Sequence, residues 1–515
     1  MDSMKYPIGI QNFEKIRKGG FAYVDKTALV CKIVSEGSYY FLSRPRRFGK
    51  SLLLSTFEAY FEGRKELFDG LSISELEQDW QSYPILHLDL NTREYKDGQS
   101  LKDELNKHLE KWEALYGDKY KDRSVEERFY QIIELAYNKT GRQVVILVDE
   151  YDKPLLQAIG NDALQAEYRS TLKAFYGALK SCDKYIRFAF LTGVTKFGKV
   201  SVFSDLNNLK DISFDRRYIE ICGITEKELH DNFDQRVCEL GAANGLSKDE
   251  SYSRLKEYFD GYHFEYDTVG LYNPFSVLNT LDSCQFRDYW FETGTPSFLV
   301  QQLQKTDYPL ARMTEEELTA DTLNSIDIMD ESPLPLLYQS GYLTITSYDK
   351  EFKSYLLGFP NREVREGFIR YLVPFYTPKT SQKAPFHIGN FIKEVRTGDA
   401  EGFMHRLESL FVGGDYQIMG NKEIYFQNVI YVLFQLMGLY VDVERHTANG
   451  RMDIVMQTSD FVYIFELKID QTADAALRQI EEKHYASAFA ADSRHIYKIG
   501  VNFSTEKRTI SYAML

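Results

Sequence analysis

"SRPRRFGKS" (Ser43–Ser51) is the stretch whose reading decides the fold. It nearly spells the phosphate-binding loop G-x-x-x-x-G-K-[ST], with Arg44 where the first glycine belongs. The apolar run "YYFL" (39–42) before it reads as a strand, and "SLLLSTFEAYFEG" after it reads as a helix beginning near Lys50. A strand–loop–helix is the setting a phosphate cradle needs, because the free N–H groups and dipole of a helix start favour anions. There Gly49 permits close backbone approach, Lys50 reaches the β- and γ-phosphates of ATP, and Ser51 offers a hydroxyl to Mg²⁺. The missing glycine removes only a residue at the loop's start. Arg44, Arg46 and Arg47 put cations there, which are expected to add charge against a triphosphate, and Phe48 completes the nucleotide-binding stretch. The bland alternative is a solvated basic loop that contains GKS by chance.

A second motif argues against chance. "VVILVDE" (144–150) is a continuous apolar run ending in Asp149-Glu150. A carboxylate at a strand end suits Mg²⁺, and the next one is placed to activate water, against the plainer reading of two surface acids. "PILHLDL" (84–90), "IRFAFLTG" (186–193) and "RYIEICG" (217–223) also read as strands. Alternation with helix-length segments implies an open parallel α/β sheet with helices on both faces. Thr192, ending its strand, is a candidate γ-phosphate reader or simply a locally bonded strand-end threonine. Arg216 and Arg217 are weighed as transition-state arginines against surface salt bridges, which are commoner.

The chain has 515 residues, 43% hydrophobic and 15% aromatic, which bounds a globular protein of several domains. No apolar run reaches membrane-spanning length, and "MDSMKYPIGIQNFEK" lacks the apolar region of a secretory signal, so a cytoplasmic protein without membrane association is expected. Five scattered cysteines form no C-x-x-C pair and read as reduced thiols. A net charge of −14 argues against indiscriminate coating of nucleic acid. From Ser381 onward the balance is 14 basic to 17 acidic residues, so the acidity belongs mainly to the earlier part. The expected organisation is a P-loop domain over 1–224, a mostly helical middle over 225–380, and a last domain over 381–515. The middle opens on a capping box, Thr225…Glu228, and its many tyrosines and phenylalanines read as packing.

The stretches "RPRRFGKS", "YVDKT" (23–27), "VDEYDKP" (148–154), "LTGVTKF" (191–197) and "CGITEKEL" (222–229) resemble the AAA-ATPase-like domain family, a bacterial P-loop NTPase family. In it this glycine-poor loop is the ordinary form, so the resemblance implies that Arg44 is not a lesion. It also implies that "YVDKT" lies near the nucleotide base.

In "RMDIVMQTSDFVYIFELK" a two-residue turn at Ser459-Asp460 would pair Thr458 with Phe461 and set Asp453 opposite Glu466. Directly opposed residues share a face, and Lys468, two residues beyond Glu466, points the same way. Two carboxylates suit Mg²⁺, and a lysine can orient water or offset charge at phosphorus. The alternative is a cross-strand salt bridge on a solvated face. Glu423, at the start of the preceding helix, is a candidate third metal ligand, and Gln479 of the following helix is placed to reach the site. With "NGRMDIVM", "YIFELK" and "ALRQIEEKHYA", this segment resembles the PD-(D/E)XK nuclease superfamily, in a restriction-endonuclease-like α/β domain. Asp453, Glu466 and Lys468 take the places of the motif's residues, and Met452 replaces its proline.

The leading expectation is therefore an enzyme. ATP is bound and hydrolysed at Lys50, Ser51, Asp149 and Glu150, and a Mg²⁺-dependent nuclease-like domain acts on nucleic acid, DNA favoured over RNA. The competing expectation is a nucleotide-switched signalling or scaffold protein whose last domain only binds a protein partner or a second copy.

Overall fold

Five parallel strands build the first sheet: β1 (Tyr39–Ser43), β2 (Ile85–Asp89), β3 (Val144–Asp149), β4 (Ile186–Gly193) and β5 (Lys210–Asp211). Their order is β2-β3-β4-β1-β5. β1 and β3 are buried at every residue, as continuous apolar strands covered on both faces should be. Two helices, α1 (Phe13–Gly19) and α2 (Thr27–Glu36), precede β1, and α3 (Lys50–Phe61) follows it. Phe57 of α3 packs on Phe188 and Phe190 of β4. The expected strand over 217–223 is instead a 3-10 helix, Arg216–Ile221, started by Asp215 accepting from the Arg217 N–H. Its apolar residues Tyr218, Ile219 and Ile221 are all buried in that turn, so the apolar run that read as a strand is buried without one.

The structure, a computed structural model, describes residues 4–118, 122–197, 202–203, 206, 208–292, 297–323, 332–376, 384–411, 422–448, 451–489, 491–507 and 509–515. It divides into two units, Met1–Gln302 with Thr314–Arg365, and Leu303–Met313 with Glu366–Leu515. In the first unit, β6 (Ile224–Thr225) pairs with β7 (Leu271–Tyr272). Helix Glu226–Asn244 begins at the capping box, with Thr225 and Glu228 bonding each other's backbone N–H, and stops at Gly245, where φ is 68°. The stretch after it is mostly helical, but β8 (Glu317–Thr319), β9 (Thr344–Asp349) and β10 (Ser354–Gly358) add a small antiparallel sheet.

The second unit carries a mixed sheet in the order β11 (Asp442–Ala448), β12 (Arg451–Gln457), β13 (Phe461–Ile469), β14 (His495–Ser504) and β15 (Thr509–Met514). Only β13 and β14 run parallel, joined through helix Ala473–Glu482. Helix Lys422–Met437 precedes the sheet, and its Val429, Leu433 and Met437 are buried. Among the described residues no helix is long and apolar enough to cross a membrane. All five cysteines are free thiols.

Candidate functional site

Gly49 caps α3 in the left-handed region at φ 94°, a conformation that favours glycine, and it leaves the first N–H groups of the helix facing the loop. Lys50 folds back over the loop, donating to the carbonyls of Arg44 at 2.9 Å and Pro45 at 3.0 Å. It is only 6% exposed, so its charge is held by backbone oxygens that phosphate oxygens could replace. The Ser51 hydroxyl lies near enough to the carboxylate of Asp149 to favour its charged form. Burial pushes that carboxyl above its usual range, and the nearby Ser51 hydroxyl and Lys50 charge pull back the other way. A hydroxyl and a carboxylate close to a lysine suit a divalent cation bridging to phosphate.

The three arginines part company. Arg44 is 1% exposed and points into the protein, a correction to the expectation that it faces phosphate. Its guanidinium donates to the carbonyls of Ser43 at 2.9 Å, Ser213 at 2.8 Å and Ile219 at 3.3 Å, and lies 4.0 Å from the Phe264 ring centre. Burial draws it down to about 10, still protonated at neutral pH. Arg46 and Arg47 remain exposed, and Arg47 sits over Phe275. Phe48 is buried edge-on against Tyr262 and Phe264, so it anchors the loop. Arg216 donates to the Tyr266 carbonyl, while Arg217 pairs with Asp215 and Glu36 at the surface.

Strand order brings the remaining groups together. β4 lies between β1 and β3, so the loop, Thr192 and Asp149 leave adjacent strand ends at one carboxyl edge, where open α/β sheets bind ligands. Thr192 is fully buried and its hydroxyl has no hydrogen-bond partner among the described residues. Glu150 adopts φ 49°, an uncommon conformation for a non-glycine residue, and its N–H bonds Asp149 Oδ1 at 3.0 Å.

In the second unit the hairpin has the expected register. The Thr458 N–H bonds the Phe461 carbonyl at 2.9 Å, and Asp453 stands directly opposite Glu466. The side chain of Asp453 lies outside the described residues. Glu466 is 0% and Lys468 5% exposed, and Lys468 Nζ donates to Glu466 Oε1 at 2.6 Å and also to Gln479 Oε1. Glu423 is exposed in the first turn of its helix and accepts from Gln427 at 3.4 Å. Among the described residues no three His, Cys, Asp or Glu side chains are gathered as a metal cage.

Residues 7–203 match the family described as a predicted AAA-ATPase, AAA-ATPase-like, and residues 421–513 match the PD-(D/E)XK nuclease superfamily. Over 99% of this chain and 98% of the relative, the sequence is 35% identical to a protein of Azotobacter chroococcum mcd 1 named "Uncharacterized protein in vnfD 5'region". The chain belongs to the AAA-ATPase-like family, with a C-terminal PD-(D/E)XK domain. No solved structure matches it.

Three features of this AAA-ATPase-like chain escape a reading of its sequence. Asp89 ends β2 in register with Asp149, and the one signal for it is that "PILHLDL" ends in an acid as "VVILVDE" does. Asp152 is fully buried and accepts from the N–H groups of Val194 and Thr195 and from the Thr195 hydroxyl. A cleft of about 650 Å³, counting space open to solvent, is lined by Tyr23, Val24, Lys26, Gly49, Leu52 and Phe233. It joins the "YVDKT" segment to the start of α3.

Proposed function

We propose that the chain binds and hydrolyses ATP at the loop of the first unit and cuts a phosphodiester at the hairpin of the second. The observation that carries the first half is Lys50 folded over the loop carbonyls at the start of α3, with Asp149 ending the neighbouring buried strand β3. On binding, Lys50 exchanges the Arg44 and Pro45 carbonyls for β- and γ-phosphate oxygens, and the N–H groups at the start of α3 take the rest of the charge. Ser51 and Asp149 would hold Mg²⁺, which neutralises charge developing on the transferred phosphoryl group. Glu150 orients the attacking water, and Thr192 offers its buried hydroxyl toward the γ-phosphate side. The base enters the cleft beside Tyr23 and Leu52, whose largely apolar walls suit a flat ring.

For the second half, support comes from Asp453 and Glu466 in register and from Lys468 bonded to Glu466. Asp453 and Glu466 would hold Mg²⁺, which lowers the pKa of a bound water. Lys468, fixed between Glu466 and Gln479, holds its proton at the position where charge builds on phosphorus.

One experiment tests both halves. Purified protein is incubated with Mg²⁺ or Mn²⁺, with and without ATP, on linear, circular and single-stranded DNA and on RNA, while phosphate release is followed. Cleavage of a DNA substrate that Asp453→Ala abolishes, with ATP turnover that Glu150→Gln abolishes, is the expected result. Absence of either activity under all conditions removes the corresponding half.

A further inference from the structure

We propose that Asp152 is the positioning residue of the ATPase site, clasping the turn that carries Glu150 to the end of the strand that carries Thr192. The inference rests on the hydrolytic reading of Glu150. It starts from a backbone observation: at φ 49° Glu150 sits in a region that non-glycine residues keep only when their surroundings over-determine it.

Those surroundings are specific. The Tyr151 N–H bonds the Thr192 carbonyl at 3.1 Å, one residue after Glu150. Asp152 Oδ2 accepts from the Val194 N–H at 3.1 Å, the Thr195 N–H at 2.6 Å and the Thr195 hydroxyl at 2.6 Å. The Tyr151 hydroxyl donates to the Thr195 carbonyl at 2.9 Å and accepts from the Phe197 N–H at 3.0 Å. Tyr151, Asp152, Thr192 and Thr195 are all buried, so water does not compete for these bonds. Two segments about forty residues apart are thereby joined, Tyr151 and Asp152 meeting the backbone of Thr192, Val194, Thr195 and Phe197.

A second, independent feature agrees. A Cβ added at Gly193 would lie 2.4 Å from Asp152 Oδ1 and 2.7 Å from the Tyr151 ring. Only a residue without a side chain lets the two strand ends close to this distance. Asp152 makes no hydrogen bond to the loop whose carbonyls hold Lys50, and the bond of Gly193 to it, its carbonyl accepting from the Arg44 N–H at 3.2 Å, is a backbone one, so the clasp governs where Glu150 points rather than whether nucleotide enters. Displacing a water-orienting group by about 1 Å costs on the order of 100-fold in rate.

The test uses the full chain and four variants: Asp152→Asn, Gly193→Ala, Thr195→Val and Glu150→Gln. Expected for the first two are an ATP dissociation constant by calorimetry within about threefold of wild type and a kcat lower by about 100-fold, near that of Glu150→Gln. Thr195→Val, which loses a single hydroxyl donor and keeps the fold if Asp152→Asn does not, is expected to lower kcat by about tenfold with KM unchanged. Hydrogen exchange should accelerate in peptides covering 150–152 and 192–197, while peptide 44–52 keeps its protection. Wild-type kcat in the two clasp variants, or a fall in kcat matched by an equal fall in affinity, overturns the positioning role. A wild-type chain without turnover ends the hydrolytic reading instead; the clasp then stands or falls on exchange, and unchanged protection at 192–197 in Asp152→Asn overturns it.

Discussion

Arg44→Ala separates two accounts of the loop, one in which Arg44 serves phosphate and one in which it serves the fold. Truncation removes two well-formed bonds, at 2.9 and 2.8 Å, and a longer one at 3.3 Å. Bonds to a charged donor contribute about 1.5–3 kcal/mol each, so the two short ones are worth about 3–6 kcal/mol. The contact with Phe264 adds about 1 kcal/mol. Burying the guanidinium opposes folding, and truncation relieves that cost, which brings the net loss to about 3 kcal/mol. All three tryptophans, Trp80, Trp112 and Trp290, belong to the first unit, so their fluorescence in urea reports its unfolding selectively. At a slope of about 3 kcal/mol/M the midpoint should fall by about 1 M. ATP affinity of the folded variant, measured by calorimetry, should change by less than about tenfold, well short of what losing a direct phosphate contact would do. An unchanged urea midpoint with a large loss of ATP affinity would refute the structural role.

Lys50→Ala should abolish ATP binding by calorimetry, because Lys50 supplies the point charge nearest the β- and γ-phosphates in the proposed site. For Asp149 the sign of the pH effect is set by burial, which holds its carboxyl above 3.8. Just above that value the folded chain binds more protons than the unfolded one, so stability without nucleotide falls as pH rises through the window. Asp149→Asn should flatten that fall in a thermal-melt series and remove the stabilisation by Mg²⁺–ATP; an unaltered pH profile would place the titration elsewhere. Asp453→Ala should eliminate divalent-metal binding to the second unit, which in the wild type is tighter at pH 8 than at pH 5 because ligand carboxylates must be deprotonated, while ATP binding is unaffected. Persistent Mn²⁺ binding in that variant would remove the hairpin as the metal site.

What sequence alone determined here is local. The strand–loop–helix around Gly49 follows from an apolar run, a glycine and a helix start within about twenty residues. The opposition of Asp453 and Glu466 follows from a two-residue turn and the period-two geometry of strands, and the structure has that register. The capping box at Thr225 is likewise complete within four residues. Tertiary structure decided what each charge faces. Arg44, Arg46 and Arg47 are equivalent in the sequence, yet only Arg44 meets the carbonyls of Ser213 and Ile219, some 170 residues away. Asp152 reads as another surface acid until β4 is placed beside β3 and Gly193 lets the strand ends close. The reason is physical. Backbone periodicity and turn geometry act between neighbours along the chain. The desolvation and pairing of a buried charge depend on distant segments, whose positions no short window of sequence contains.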